Sequence, residues 1–571
     1  MEEKSDMTRK ISRRTFLKEA ARGTAVVGAA GTSLVLQGCA SRKDFDLVIK
    51  DTLVYDGLGA PGTRADIGIS GASIASVGAI PARRGRRVID GRGLAACPGF
   101  IDAHDHSSVG LLVNPNAESL IHQGITTVIS GQCGSSGFPV AEETLQEEAS
   151  FLKEQYGLDL DWRDIGGFFG RLAQKGIAVN YATLLGHGTV RGAAMGFNDR
   201  PPSEAELEKM KKLVEEAMRG GAFGLSTGLE YSPGSYAKPE EIIELCKVAA
   251  RFGGVYATHM RDEGEMLLES LDESIEAARQ SGAKLQISHF KTARPANWNK
   301  LPAALAKIED AKKQGVDIFC DRYPYIAGAT GLSFYFPLWA KQGTNEDFVN
   351  RLKDPALDGR LREHLAAQEK KVGSWDKILI SDVTLEKNRA LQGKRILDAA
   401  KEAGKPPYEF MRDLLIEEKA QVGMITFIMN EDNLKKILAH PLVGVGCDGS
   451  VQAPYGLLSR GKPHPRNYGT FPRVLGKYVR EEKIASWEEM IRKMTSIPAE
   501  RFGFEKRGVL RPGYAADVVL FDPEKVIDTA TWVNPHQYPV GIEYVLVNGR
   551  VVIERGQHTG NLAGLILKKT F

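Results

Sequence analysis

The feature that most restricts the fold of this chain is a long alternation of apolar, β-branched runs with helical segments. The runs lie at residues 100–104, 125–130, 177–185, 223–227, 255–259, 284–289, 317–321, 424–429 and 443–448. Strands that alternate with helices favour a parallel sheet, and this many repeats favour an α/β fold closed as a TIM-like (β/α)8 barrel. Nine runs are one too many for such a barrel, so we expect one of them to lie outside it.

The clearest helical segment begins at Ser203 and reads SEAELEKMKKLVEEAM. Ser203 and Glu206 have the spacing of a capping box, which predicts the first turn of a helix. The apolar positions then recur on one helical face, at Leu207, Met210, Val214 and Met218. This segment is therefore predicted to cover the barrel as an amphipathic helix.

Both ends of the chain are β-rich and lie outside the alternation. Residues 44–97 and 501–571 consist of short strand patterns and turns without a helical period. We predict that they form the two parts of one small β-sandwich, which flanks a barrel at residues 98–500. Within the barrel, residues 330–423 make an insertion longer than an ordinary connecting loop, which predicts a lid over the active face.

The N-terminus carries the pattern of an export signal. Paired arginines in SRRTFLK precede an uncharged apolar run at Gly23–Leu36, and LQGC follows, ending at Cys39. The arginines predict twin-arginine export, and LQGC resembles a lipobox, so residues 1–39 are interpreted as a twin-arginine lipoprotein signal. We therefore expect a periplasmic or cell-surface protein that is lipid-anchored at Cys39. The run is too short to span a hydrocarbon core of about 30 Å as a helix, and a bare N-terminal membrane anchor is the alternative.

Charge and cysteine content exclude several classes of protein. A net charge of +3, spread thinly over 571 residues, predicts no nucleic-acid partner and no membrane contact beyond the lipid anchor. Besides Cys39, the chain has an odd number of widely spaced cysteines, so no disulfide framework is expected. Cys133 stands apart from the others because it lies in a glycine-rich turn, GQCGSSG, directly after an apolar strand.

Several polar residues fall at the carboxyl ends of the predicted strands, where the active sites of barrels lie. They are His104, His106, Cys133, His259, His289 and Asp448. An isolated histidine or cysteine after a strand is more often a buried structural residue, but only 11 histidines occur in the chain and four share this position. Imidazole, thiolate and carboxylate together suit Zn²⁺. The set predicts a zinc site, and a nucleophilic cysteine paired with His259 or His289 is the alternative.

A series of motifs resembles one family. In chain order they are PGFIDAHDH, GITTVISGQCG, GAFGLSTGLEYSPGSYA, YATHMRDEGE, ISHFK, DRYPYIAG, GCDGS and HPRNYGTFPRVLGKYVRE. Together they are similar to the N-acyl-D-amino-acid deacylases, or D-aminoacylase-type enzymes, of the amidohydrolase superfamily. The resemblance covers about residues 45–560. It implies hydrolysis of the amide of a small N-acyl-D-amino acid, which yields a carboxylic acid and a free D-amino acid.

The resemblance also implies roles for individual residues. Cys133, His259 and His289 would hold one tightly bound zinc ion, and His104 and His106 would form a second, weaker metal position. Asp448 would be the catalytic acid and base. The residues that would grip the substrate carboxylate are Tyr231, Lys291, Tyr323 and Arg466, with Arg261 and Arg460 as weaker candidates. One departure concerns the second metal: where the family often has an acidic residue after the HxH pair, this chain has Ser107 and Ser108.

The sequence leaves three other functions open. A hydantoinase-type cyclic amidase would use the same barrel, but such enzymes typically bridge two metals with a modified lysine, and Cys133 argues against that chemistry. A D-amino-acid dipeptidase would differ only in the group on the acyl side. A surface-anchored binding lipoprotein would retain the barrel without catalysis, which the complete set of ligands and Asp448 disfavours. His187, after another predicted strand, is a weaker candidate for stabilising the oxyanion.

Overall fold

The structure is a computed structural model that describes residues 43–142 and 144–571. The predicted export signal at residues 1–39 lies outside this part. The described residues form one compact unit that begins at Lys43. None of their helices is both long and apolar enough to cross a membrane. The five cysteines of the described residues are free.

Eight parallel strands of the described chain form the predicted barrel. We number them from first to eighth in chain order: Phe100–Asp102, Ile125–Ser130, Asn180–Thr183 continued by Leu185–Gly186, Gly224–Gly228, Val255–His259, Lys284–Ile287, Ile318–Arg322 and Val443–Val445. Each strand pairs in parallel with the next. The third strand is broken at Leu184, so its first part pairs with the second strand and its second part with the fourth.

The eighth strand returns to the first and closes the barrel. The amide of Asp448 donates to the His104 carbonyl at 2.8 Å, and the amide of His106 donates to the Gly449 carbonyl at 2.7 Å. These bonds join the two chain segments that carry predicted site residues. The TIM-like (β/α)8 prediction is therefore confirmed, and closure brings the first and eighth strand ends into direct contact.

Helices surround the barrel and connect its strands. They span Gly110–Val113, Glu118–Ile121, Leu145–Tyr156, Ile165–Lys175, His187–Met195, Glu204–Gly220, Pro239–Ala250, Leu267–Ser281, Leu301–Lys313, Glu431–Ala439, Arg466–Arg473, Trp487–Met494 and Ser496–Phe502, with a π-helix at Val474–Glu481. The helix predicted from Ser203 has the expected capping box with Glu206. Met210, Val214 and Met218 are buried on its inner face, because apolar side chains at this spacing share one side of a helix.

The run at 424–429 is the one that lies outside the barrel. It belongs to the strand Val422–Thr426, which pairs antiparallel with Gly328–Gly331 and Ile378–Val383. This three-stranded sheet is part of an inserted segment with its own apolar core, which includes Leu352, Leu365 and Trp375. The helices of the insertion span Asn345–Lys353, Pro355–Val372, Ile396–Glu402 and Pro407–Glu417.

Both ends of the described chain meet in one nine-stranded sheet. Its strands are Phe45–Val54, Thr63–Ser70, Ser73–Gly78, Gly85–Asp90, Ala95–Pro98, Val518–Phe521, Ile542–Val547, Arg550–Glu554 and Gln557–His558. Val518–Phe521 pairs antiparallel with Ala95–Pro98, which joins the two parts, and residues of both parts share one apolar core. The chain then leaves the sheet: Leu567 donates to Tyr181 of the third barrel strand, so the final residues pack on the barrel.

Candidate metal centre and active site

The barrel gathers six predicted residues at its carboxyl edge. Their ligand atoms form two groups within the described chain, and the atoms of each group lie within 4.8 Å of one another. One group consists of Cys133, His259 and His289, and the other of His104, His106, Cys133 and Asp448. Because Cys133 belongs to both groups, its sulfur lies between two positions that could each hold a metal ion.

Three of these residues have an unusual backbone conformation. The φ angles of Cys133, His289 and Asp448 are 50°, 38° and 50°, in the left-handed region that non-glycine residues rarely adopt. Such conformations cluster at functional sites, where the surrounding fold holds them in place. At Cys133 the fold requires Gly228, since a Cβ atom there would lie 2.1 Å from the carbonyl oxygen of Cys133.

The Cys133 thiol lies between two imidazoles. Its Sγ is 3.3 Å from His104 Nε2 and 3.5 Å from His289 Nε2. Burial raises the pKa of Cys133, but the charges of His104 and His289 outweigh burial and hold this pKa well below its usual value. The thiolate is the form of cysteine that binds metal ions, so the surroundings of Cys133 favour a ligand.

Carboxylates contact the Nδ1 atoms of His104 and His289. His104 Nδ1 lies 3.0 Å from Asp321 Oδ1, and His289 Nδ1 lies 2.8 Å from Glu263 Oε1. The Nε2 atoms of His104 and His289 are thereby directed at the Cys133 sulfur. Metal-binding histidines commonly have a carboxylate or carbonyl partner on the second nitrogen, which sets the tautomer and the ring orientation.

The hydrogen bonding of His259 favours a metal ion as a partner. Its Nε2 lies 3.0 Å from Glu230 Oε2, whereas its Nδ1 is buried and has no hydrogen-bond partner. An unpaired buried nitrogen is costly unless another group satisfies it. A cation shared with Cys133 and His289 would do so, and one sulfur with two imidazole nitrogens is a donor set that suits zinc. The residues present therefore fit a zinc ion.

Asp448 lies at the centre of the second group. Its Oδ1 is 3.1 Å from His106 Nε2 and 3.3 Å from His104 Nε2, and its Oδ2 is 2.8 Å from Arg466 Nη1. Burial raises the pKa of Asp448, but Arg466 and then His289 and His104 lower it well below its usual value. The carboxylate is thus held ionised beside the candidate metal ligands. A group that accepts a proton during catalysis must be ionised in this way.

The four predicted carboxylate-binding residues line the same cavity as Cys133 and Asp448, which has a volume of about 680 Å³. Arg466 stacks over the ring of Tyr323 at 4.7 Å, and its buried Nη1 makes no hydrogen bond despite the contact with Asp448. Lys291 forms a buried ion pair with Glu263. Tyr231 packs edge-on against His259, with ring centroids 4.9 Å apart. The unsatisfied Arg466 donor suits a carboxylate ligand.

Three weaker candidates lie elsewhere. His187 is the first residue of a helix, is fully buried, and contacts Glu241 at 2.8 Å. It does not line the cavity. Arg261 makes two hydrogen bonds to Glu273, which occupies its guanidinium. Arg460 is exposed and lines a neighbouring cavity of about 370 Å³ that also touches His106 and Asp448.

Glu230, Glu263 and Asp321 were missed by the sequence prediction. Asp321 is the penultimate residue of the buried strand Ile318–Arg322, and this position could have identified it. Glu230 precedes Tyr231 in LEYSPG, and Glu263 comes four residues after His259 in THMRDEGE. Nothing in the sequence distinguishes these two from ordinary surface acids, because their partners come from other strands.

The insertion contributes to the wall of the cavity. Thr330, Phe334 and Thr426 line it together with Cys133 and Asp448. All three belong to the segment that starts at Gly328, and Thr426 ends its central strand. The segment thus forms one side of the cavity, and its role as a lid stays a prediction.

A closed eight-stranded barrel with imidazole, thiolate and carboxylate groups at one edge defines a metal-dependent hydrolase of the TIM-barrel class. Comparison with known proteins gives a match to the amidohydrolase family over residues 87–553. The chain belongs to this family.

Individual relatives are similar over nearly their whole length. A D-aminoacylase of Alcaligenes xylosoxydans xylosoxydans is 36% identical over 526 residues, which cover 92% of this chain and 98% of the relative. A similar crystal structure is that of an N-acyl-D-glutamate deacylase from Bordetella bronchiseptica, complexed with zinc and a phosphonate mimic of the tetrahedral intermediate. It has a TM-score of 0.78 at 34% identity, and the match covers 92% of this chain and 100% of that one. A D-aminoacylase structure with a TM-score of 0.77 and 35% identity, covering 92% of this chain and 100% of that one, concerns a binuclear centre with "one-metal activation and second-metal attenuation".

Proposed function

We propose that the protein is a zinc-dependent N-acyl-D-amino-acid deacylase. The observation that carries this proposal is the placement of the Cys133 sulfur between His104 and His289, with Asp448 and Arg466 in the same cavity. Two relatives that share 92% of the chain at 36% and 34% identity are a D-aminoacylase and an N-acyl-D-glutamate deacylase by name, which supports the substrate class and its stereochemistry.

The residues that would hold the main zinc ion are Cys133, His259 and His289. His104 and His106 contribute a second, weaker position that also uses Cys133, in line with the binuclear centre described for a related D-aminoacylase. When bound, zinc supplies a Lewis acid that polarises a carbonyl group and lowers the pKa of water. The carboxylates of Glu230, Glu263 and Asp321 fix the imidazole rings and so keep the ligand nitrogens in position.

The remaining residues bind the substrate and move protons. Arg466, Lys291, Tyr323 and Tyr231 hold the α-carboxylate of the substrate, so that its amide lies beside Cys133 and Asp448. Asp448 accepts the proton of the attacking water and delivers it to the leaving amine. The amide C–N bond breaks, the water oxygen joins the acyl carbon, and the amino acid leaves as a free amine.

The test is Asp448→Asn in zinc-loaded protein. We expect kcat for an N-acyl-D-amino acid to fall at least about 100-fold, since a positioned acid–base group contributes roughly 10²–10⁴, while zinc content stays within about twofold. Asp382→Asn is the matched control, because Asp382 is exposed and lines only the neighbouring cavity. Turnover of the Asp448 variant within a few-fold of wild type would exclude the proposed role. The same assay with L-enantiomers and D-dipeptides tests the stereochemistry and the dipeptidase alternative.

We also propose that residues 1–39 direct twin-arginine export and that Cys39 carries a lipid. The paired Arg13 and Arg14, the apolar run and LQGC support this. Replacing both arginines by lysine should retain the protein in the cytoplasm, and Cys39→Ala should release an exported protein from the membrane fraction. Export that survives the double substitution, or membrane retention of the Cys39 variant, would contradict the corresponding part.

A further inference from the structure

The active-site cavity extends well beyond the metal ligands into an apolar region. We call this region the apolar lobe and define it by Pro139, Phe151, Leu152, Leu160, Trp162 and Phe197, all of which line the cavity. Phe151 and Phe197 remain 46% and 37% exposed. Large aromatic side chains exposed at the mouth of a binding cavity indicate a surface that an apolar ligand covers.

The lobe lies across the barrel from Lys291 and Tyr323, two of the four residues proposed to hold the substrate carboxylate. Its residues come from the segments that follow the second and third barrel strands. Lys291 and Tyr323 follow the sixth and seventh strands. In a closed barrel of eight strands, the second is opposite the sixth and the third is opposite the seventh. A substrate with its carboxylate at Lys291 and its amide at Cys133 therefore directs its acyl group towards the lobe.

The charges of the cavity wall also suit an uncharged chain in the lobe. Besides histidines, the cationic residues on the described wall are Lys291 and Arg466, and they contact Glu263 and Asp448 away from the lobe. Among the described residues that define the lobe, none carries a positive charge that would bind an acidic group, so the lobe suits an uncharged chain better than a second acidic group on the substrate.

We propose that the apolar lobe binds the acyl chain, and that the preferred substrates are N-acyl-D-amino acids with a linear, saturated acyl group of medium length rather than acetyl. This inference rests on the proposed deacylase function and names its substrate class. Hydrolysis follows the same bond changes for any chain length and releases a medium-chain carboxylate together with the free amino acid. The longer chain adds only burial of methylene groups against the lobe.

The first test measures kcat/KM of the zinc-loaded enzyme for N-acetyl-, N-hexanoyl- and N-octanoyl-D-leucine. Burial of one methylene group corresponds to about a threefold to fourfold gain, so we expect the octanoyl substrate to exceed the acetyl one by at least about thirtyfold. A second series keeps the acetyl group and lengthens the side chain of the D-amino acid. A gain with side-chain length and none with acyl length would overturn the assignment.

The second test narrows the lobe. Gly192 lines the cavity on the helix His187–Met195, and a Cβ atom there would have Phe197 as its nearest neighbour, at 3.9 Å. The Gly192→Phe side chain therefore fits without displacing the backbone and fills part of the lobe. We expect the ratio of kcat/KM for the octanoyl substrate to kcat/KM for the acetyl substrate to fall at least about tenfold. Gly170→Phe is the matched control, because Gly170 is an exposed helical glycine with no atom within 4 Å of its added Cβ.

The outcomes separate this inference from the function on which it rests. Hydrolysis of all three acyl substrates at equal kcat/KM would overturn the lobe assignment and leave the deacylase function intact. An unchanged ratio in folded, zinc-loaded Gly192→Phe would also overturn it. No hydrolysis of any N-acyl-D-amino acid by zinc-loaded protein would overturn both.

Discussion

Glu263 connects His289, a proposed metal ligand, to Lys291, a proposed substrate-binding residue, and Glu263→Gln tests that connection. Glu263 and Lys291 are each 6% exposed and form an ion pair. The oxygen that contacts Lys291, Glu263 Oε1, also lies 2.8 Å from His289 Nδ1. Burial raises the pKa of Glu263, but Lys291, His289 and His259 lower it overall, so the group is ionised. Replacing it leaves the Lys291 ammonium buried without a carboxylate among the described residues.

The structure sets the expected size of the effect. Removing one partner of a buried ion pair costs about 3–5 kcal/mol, mostly because the other charge remains buried and unpaired. Loss of the carboxylate that orients a metal-binding histidine weakens metal binding by about 10–100-fold. We therefore expect the free energy of unfolding to fall by about 3–5 kcal/mol and the dissociation constant for zinc to rise at least about tenfold.

The assay is urea unfolding of zinc-loaded protein, together with zinc competition against a chromophoric chelator. Glu265→Gln is the matched control. Its side chain is 34% exposed and pairs with Arg294, so its loss should cost about 1 kcal/mol or less. If the Glu263 variant is as stable as the Glu265 variant and binds zinc as tightly as wild type, the proposed connection does not exist.

Two further predictions concern substrate binding and pH. Arg466→Lys removes the planar guanidinium group but retains the charge, so KM for an N-acyl-D-amino acid should rise about tenfold while kcat changes much less. Arg460→Lys, at the exposed neighbour, should leave both KM and kcat unchanged. Equal KM values in the two variants would contradict the assignment. Burial, assisted by His558, lowers the pKa of His122 from 6.5 to about 4, so the unfolded chain binds more protons between these values and stability falls on acidification. Between pH 6.5 and pH 4.5, wild type should lose about 2 kcal/mol more than His122→Gln in urea titrations, and parallel losses would contradict this.

The local pattern of the sequence was sufficient to predict the barrel, because each strand and helix carries its own periodicity. The helix from Ser203 shows this, since its capping box and apolar face depend only on neighbouring residues. The run at 424–429 shows the limit of the same reasoning. It has the composition of a buried strand, but composition does not specify the partner strand, and it pairs within the insertion instead.

The sequence by itself determined which metal-binding residue types stand at the strand ends, since His104, Cys133, His289 and Asp448 each follow an apolar run. Only the tertiary structure decided which imidazole nitrogen of His104 and of His289 faces Cys133. It also decided which carboxylate contacts the second nitrogen of each ring. Glu230 and Glu263 acquire their roles through contacts across strands, and the left-handed φ angles at Cys133, His289 and Asp448 arise only when the closed barrel constrains the backbone. The physical reason is that residue types follow from local patterns, whereas ring orientation depends on hydrogen bonds between segments that meet only when the barrel closes.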